Sequence, residues 1–162
     1  MAKVEPTQKS KGYHSITPAL TVANAKEAIE FYKKAFNAEE REICLGPDGK
    51  QVMHAEIKIG DSILMINDEF PAYGCVGPRA LGGSPVTLHF YVENVDEVFN
   101  QAVKAGAKAT MPVADQFWGD RYGQVEDPYG HKWGISTHIA DLSDEEIKIA
   151  QQEWEKKQLV HA

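Results

Sequence analysis

The sequence predicts an α+β protein: two βαβββ modules whose curved mixed sheets enclose a cavity, followed by a C-terminal helix. Three observations predict it. The chain repeats itself at an offset of 70 residues, each repeat carries a helix signature in the same place, and each helix is followed by three short strand signals. In the repeat, Thr17 falls on Thr87, Val22 on Val92, Asn24 on Asn94, Glu27 on Glu97 and Lys34 on Lys104, with apolar pairs such as Leu20 and Phe90 between them.

Ser15 to Val22 and Pro85 to Val92 read as the first strand of each module. Each leads to an asparagine, Asn24 or Asn94, placed to accept a hydrogen bond from an unpaired first-turn N–H of the helix that follows. The first helix is expected over residues 25–36, with Ala25, Ala28, Ile29, Tyr32, Ala35 and Phe36 on one face. The second is expected over residues 95–105, with Val95, Val98, Phe99, Ala102 and Val103 on one face and Gly106 as its stop.

The later strands of the first module are expected at Glu40 to Leu45, Gln51 to Ile59 and Ser62 to Asn67. Pro47-Asp48-Gly49 and Gly60-Asp61 supply the turns between them. In the second module they are expected at Ala109 to Val113, Tyr122 to Glu126 and Lys132 to His138. The stretch from Phe70 to Ser84 is rich in Gly and Pro and reads as a linker. The organisation is therefore a flexible tail (1–12), a first module (13–69), the linker (70–84), a second module (85–140) and a C-terminal segment (141–162), the two modules forming one domain. In the last segment Ser143 and Glu146 form a capping box, and Ile147, Ala150 and Trp154 make a thin apolar stripe suited to docking.

Bulk properties narrow the partners. A net charge of -7 excludes the clustered basic surface that nucleic acid or an anionic membrane requires. No apolar run approaches the roughly 20 residues that span a bilayer, and the N-terminus has no apolar core of a secretory signal. Cys44 and Cys75 show no zinc spacing and read as two reduced thiols in a cytoplasmic protein.

Three short motifs sharpen this picture. Val22-Ala23-Asn24-Ala25, followed by Ala28-Ile29-Glu30-Phe31-Tyr32, resembles the first strand-to-helix signature of the vicinal oxygen chelate superfamily of glyoxalases, bleomycin-resistance proteins and dioxygenases. Asp127-Pro128-Tyr129-Gly130-His131 resembles its closing hairpin, and Phe117-Trp118-Gly119-Asp120-Arg121 resembles a segment of the bleomycin-resistance and PhnB-like branches. The resemblance covers about residues 13 to 140 and implies a small-molecule ligand and a homodimer.

The resemblance also implies positions for a divalent metal, one on the first and one on the last strand of each module. These fall on Thr17, Thr87, Gly134 and a residue near Met65. Neutral threonines, a glycine and a thioether are poor partners for such an ion, which wants His, Asp, Glu or Gln. Pro18 matches a first-strand proline of the bleomycin-resistance proteins, which resist a cationic drug by sequestering it without metal in a strand-exchanged dimer. A proline at a strand edge fits either strand exchange or an ordinary edge. No cofactor is the first expectation, and a divalent metal at a shifted site is the alternative.

Strand alternation supplies the candidate lining. Met53, Ala55, Ile57 and Ile59 are assigned to the helix side, leaving His54, Glu56 and Lys58 opposite. Leu88, Phe90 and Val92 leave Thr87, His89 and Tyr91 opposite. His54, Glu56 and His89 form the one set that offers two imidazoles and a carboxylate for a shifted metal; the other reading is a hydrogen-bonded polar lining. Glu56, if desolvated, would be raised in pKa and could act as a general base. In the loop from Gln116 to Tyr122, Phe117 and Trp118 offer flat apolar surface and Asp120 and Arg121 offer charge, as a pocket for a planar or cationic ligand needs. The alternative there is a core Trp118 and a surface Asp120–Arg121 pair. Trp133 is expected in the core. Binding residues are thus Thr17, His54, Glu56, Thr87, His89, Tyr91, Phe117, Trp118, Asp120 and Arg121. The functions in play are a metal-independent binding protein for a cationic or aromatic compound and a lyase, isomerase or dioxygenase.

Overall fold

The computed structural model describes residues 12–160; the expected tail, apart from Gly12, lies outside the described residues. The chain divides into two compact units, Met1–Gly83 and Ser84–Ala162. Each contains one βαβββ module. The first holds β1 (Ala19–Val22), α1 (Ala25–Phe36), β2 (Glu39–Leu45), β3 (Val52–Ile59) and β4 (Ser62–Asp68). A 3-10 turn at Pro71–Tyr73 and a single helical turn, α2 (Pro78–Leu81), follow. The second unit holds β5 (Thr87–Tyr91), α3 (Val95–Ala105), β6 (Lys108–Asp115), β7 (Asp120–Glu126), β8 (Lys132–His138) and α4 (Asp144–Val160).

The strand orders are the same in both units: β1-β4-β3-β2 and β5-β8-β7-β6. The first strand of each module lies parallel to the last, and the remaining pairs are antiparallel. Each sheet packs its apolar face on its own helix. In the first unit Val22, Ile29, Tyr32, Ile57 and Ile66 are fully buried, and in the second Val95, Val125 and Ile135 are. Asn24 and Asn94 cap the two helices as expected, accepting from the N–H of Glu27 at 3.3 Å and of Glu97 at 3.2 Å. A second tie fastens each helix start to its last strand. The N–H of Ala25 donates to Asp68 at 2.6 Å, and that of Val95 to the hydroxyl of Thr137 at 2.8 Å.

Three expectations need correction. The first strands do not begin at Ser15 and Pro85 but at Ala19 and Thr87. Proline has no N–H to give a ladder, so Pro18 contributes only its carbonyl, which accepts from the N–H of Met65 at 2.9 Å. Met53 is not in the core; it is 48% exposed. Cys44 pairs with His54 and Leu45 with Val52, which leaves Met53 as the extra residue of a bulge. A bulge resets the two-residue alternation, so Val52 is buried in its place. Val103 is 39% exposed, because the buried stripe of α3 is Val95, Phe99 and Ala102 and Val103 lies at its edge.

The capping box at Ser143 and Glu146 is present, each backbone N–H meeting the other's side chain. Along α4, Ile147 and Ala150 are half-buried. Trp154 lies on Phe117 with ring centroids 5.8 Å apart, so the helix rests lightly on its own unit. No described helix is long and apolar enough to cross a membrane.

Candidate functional site

Each sheet has one face turned away from its helix, and the chemistry-bearing side chains gather there. In the second unit, strand register fixes which residues share that face. Thr87, His89 and Tyr91 of β5 stand beside Lys132, Gly134 and Ser136 of β8. Those in turn stand beside Glu126, Gln124 and Tyr122 of β7, with His138 beside Asp120 at the end.

Asp120 is the anchor of this face. It is only 4% exposed, and its carboxylate accepts from the hydroxyl of Tyr91 at 3.0 Å and from the indole N–H of Trp118 at 3.2 Å. Nδ1 of His138 lies 2.9 Å from its other oxygen. Burial pushes the Asp120 carboxyl up, but the bonds from His138, Tyr91 and Trp118 outweigh it and hold the group below its ordinary value. Nε2 of His138 lies 2.9 Å from Asp141. An ionised carboxylate can only accept, so a histidine flanked on both nitrogens by carboxylates is favoured in its doubly protonated form. Its pKa is accordingly raised, by Asp120 first and Asp141 second. Tyr91 is raised by the same Asp120 bond.

Around this anchor lie aromatic rings. Trp118 is 38% exposed and Tyr91 63%. Phe117 meets Trp118 edge-to-face at 5.0 Å, and its other contact is Trp154. His89 stacks on Tyr122, with centroids 5.5 Å apart and planes 9° apart, and meets Tyr91 at 5.1 Å. Gly134 lies beneath the stack. A Cβ there would come within 2.9 Å of the Tyr122 ring and 3.1 Å of His89 Nδ1, so a side chain at this position would have to displace one of the two rings.

Arg121 does not join Asp120. Adjacent strand residues point to opposite faces, and Arg121 forms a two-pronged pair with Asp96, at 2.7 and 2.8 Å, and a bond to Asp115 at 2.7 Å. Those carboxylates raise its already high pKa further. It braces α3 and β6 against β7. Thr87 is exposed at the start of β5.

In the first unit Glu56 occupies the corresponding face. It is 9% exposed and accepts from the hydroxyl of Tyr13. His54 Nε2 lies 3.5 Å away and Arg41 Nε 3.8 Å away. The expected rise in its pKa does not occur. The Tyr13 bond lowers it more than burial raises it, and His54 and Arg41 add to the lowering. A carboxylate held below its ordinary value is a weaker base than the raised one expected from burial. Thr17 is not on a strand; its hydroxyl turns back to the carbonyl of His14 at 3.3 Å.

The residues at the positions where a metal would be held do not fit one. Thr17 is folded onto its own backbone, Thr87 is a neutral hydroxyl, Met65 is a thioether, and the space over Gly134 is filled by two rings. His54 and Glu56 are neighbours in the first unit, whereas His89 belongs to the second. No group of three or more His, Cys, Asp or Glu side chains suited to holding a metal occurs among the described residues. Trp133 is in the core as expected, 2% exposed and donating to Asp127 at 2.9 Å.

Sequence reasoning missed His138, Ser136, Tyr122 and Tyr13. The first two were within reach, since alternation along Lys132 to His138 puts Gly134, Ser136 and His138 on one face. Tyr13 lies outside every periodic segment and gave no signal.

Comparison with known proteins places this geometry. A family model described as Glyoxalase/Bleomycin resistance protein/Dioxygenase superfamily matches residues 13–135. An uncharacterized protein of Mycobacterium bovis is 43% identical over 140 residues, spanning 84% of this chain and 91% of its own. Among solved structures, TioX from Micromonospora sp. ML1 is 25% identical with a TM-score of 0.61, over 76% of this chain and 98% of its own. The PhnB protein from Bacillus cereus shares the fold at 21% identity and a TM-score of 0.61, over 76% of this chain and 99% of its own.

Proposed function

The chain belongs to the Glyoxalase/Bleomycin resistance protein/Dioxygenase superfamily, and from that premise we propose that it is a metal-independent binding protein for a small cationic or aromatic molecule. The observation that carries the reading is the closure of Gly134 beneath His89 and Tyr122. Where the resemblance expects a metal ligand on the last strand of the second module, this chain has no side chain, and two rings cover the position. What surrounds that point suits an organic ligand instead. Tyr91 and Trp118 offer exposed ring surface, and Asp120 behind them holds both rings through its bonds to the Tyr91 hydroxyl and the Trp118 indole. The net charge of -7 favours a cationic ligand.

The same proposal includes a homodimer, on family grounds, and a cytoplasmic location, which suits two free cysteines. The alternative, a superfamily enzyme with a shifted metal site, draws its support from the His54–Glu56 pair.

Two measurements test the proposal. Elemental mass spectrometry of tag-free protein purified without chelator should find metal far below one ion per chain; one Ni, Zn, Fe or Mn per chain would overturn the reading in favour of the enzyme. A screen of aromatic and cationic compounds by intrinsic fluorescence should yield binders whose affinity is lost in Trp118→Ala. Full affinity in that variant would remove Trp118 from the site.

A further inference from the structure

The face that the second sheet leaves open is covered in the first by the chain that leads into β1. In the second unit Thr87, His89 and Tyr91 are exposed on the face turned away from α3. On the matching face of the first unit Glu56 and Ile63 are buried. Register sets Ile63 beside Lys58, and the corresponding row of the second sheet sets Lys132 beside Glu126. An isoleucine on a sheet face away from the helix calls for a cover, and a lysine does not. Residues 12–18 are that cover. A Cβ on Gly12 would stand 3.7 Å from the Ile63 side chain and 3.6 Å from the Arg41 guanidinium, both ordinary contacts. Tyr13 then reaches onto Glu56 with its hydroxyl.

The cover is lightly tied. His14 Nε2 lies 3.2 Å from the Asp61 carbonyl at the surface, and Pro18 accepts from Met65. Between those points Ser15 and Ile16 are exposed, Ile16 at 87%, so that stretch adds little packing. The seat under Tyr13 belongs to the sheet. Glu56 and His54 alternate on β3, and Arg41 comes from β2; both His54 and Arg41 approach the Glu56 carboxylate.

The seat selects its occupant. An ionised carboxylate only accepts, and a hydroxyl given to it makes a charge-assisted bond. An anionic ligand would meet the Glu56 charge, and a cation would meet Arg41. A ring without a hydroxyl would leave the buried carboxylate short of a donor.

We propose that this face of the first unit is a second ligand site, that it takes phenols, and that Tyr13 is its internal occupant, which an external phenol replaces when residues 12–18 lift. The site is separate from the second unit's face and does not rest on it. A site closed by its own chain binds an outside ligand more weakly, in proportion to the time it spends open. Removing the internal occupant therefore tightens binding.

The probe is p-cresol, the tyrosine side chain as a free molecule, with toluene as the same ring lacking the hydroxyl. Both are titrated into the full chain and followed by amide NMR shifts, which report the unit that responds. Tyr13→Ala should bind p-cresol about tenfold more tightly than the wild type, with shifts centred on Arg41, His54 and Glu56. Toluene should bind that variant about tenfold more weakly than p-cresol, the worth of one hydrogen bond to a charged group. Adding Glu56→Leu, which removes the acceptor, should abolish the preference. Tyr13→Phe keeps the ring without its hydroxyl, should fall between wild type and Tyr13→Ala, and serves if the smaller residue unfolds the module. Absence of saturable shifts at Arg41, His54 and Glu56 in the folded variants would overturn the site and leave Tyr13 a structural staple. Shifts confined to Tyr91 and Trp118 would overturn it while supporting the second unit's face. Equal p-cresol affinity in wild type and Tyr13→Ala would overturn the role of Tyr13 as occupant.

Discussion

The two modules share a plan and differ in how the face away from the helix is closed. In the first, a stretch without regular structure, Gly12 to Pro18, brings Tyr13 onto Glu56. In the second, the strands close their own face: His89 stacks on Tyr122, and Tyr91 crosses to Asp120. The strand register makes the contrast residue by residue. Ala19, Met65 and Glu56 form one row of the first sheet, and His89, Gly134 and Gln124 form the corresponding row of the second. The helix sides of the two sheets keep their caps and their buried apolar residues. A face that packs on a helix is constrained by volume and apolarity, whereas the opposite face of a sheet is free to diverge. The repeat therefore records the core, and the two modules differ most on the faces turned away from their helices.

The largest test of this contrast removes the anchors. Asp120→Ala should lower stability by about 2 kcal/mol, since it removes the acceptor of three bonds, from Tyr91, Trp118 and His138, whose half-exposed donors then turn to water. Glu56→Ala should cost only about 1 kcal/mol, because beyond the Tyr13 hydroxyl its described partners, His54 and Arg41, lie 3.5 and 3.8 Å away. Urea unfolding of both variants decides it, and equal losses would erase the distinction between the faces.

Next comes Gly134→Ala. The added Cβ collides with Tyr122 and His89, and overpacking of this kind costs about 2 kcal/mol. The variant should also lose the His89–Tyr122 stack, visible as altered ring-current shifts of Tyr122 in the NMR spectrum. Wild-type stability and shifts in Gly134→Ala would show that the position is open, and the metal argument would need revisiting.

A smaller effect has opposite signs in the two modules. Ser136→Ala should stabilise the ligand-free protein by about 1 kcal/mol, because it deletes an unpartnered buried hydroxyl. Asn67→Ala should destabilise it by about 1 kcal/mol, because it breaks satisfied bonds. Thermal melts of the pair are sufficient.

The smallest effect is that of pH, because His138 is half exposed to solvent. Its folded pKa is raised above the unfolded value, so its contribution is complete below an unfolded pKa of about 6.5 and is lost as pH rises through the folded value. Asp120 behaves conversely: its folded pKa is lowered, so its contribution is present above an unfolded value of about 3.9 and is lost as pH falls through the folded one. The pair therefore works best between roughly pH 4 and 6.5. His138→Gln should abolish the alkaline decline in melting temperature and Asp141→Asn should reduce it. A decline of wild-type size in His138→Gln would assign it to another group.

By itself the sequence determined the βαβββ order of each module, the bounds of α1 and α3, their asparagine caps and the turn positions, but not the helical turn α2 within the stretch read as a linker. These depend on periodicity and local hydrogen bonding, which neighbours in the chain dictate. It also placed Thr87, His89 and Tyr91 on one face, because alternation holds wherever no residue is inserted. The bulge at Met53 shows the limit, since one extra residue breaks the alternation there and puts Val52 in the core in place of Met53. Only the tertiary structure decided the partners. Asp120 found Tyr91 and His138 across two strands, Arg121 found Asp96 on a helix, and Glu56 found Tyr13 from outside every element. Those contacts set which carboxylates are held below their ordinary pKa. Bonds between residues far apart in sequence are fixed by sheet register and loop path, which no local pattern encodes.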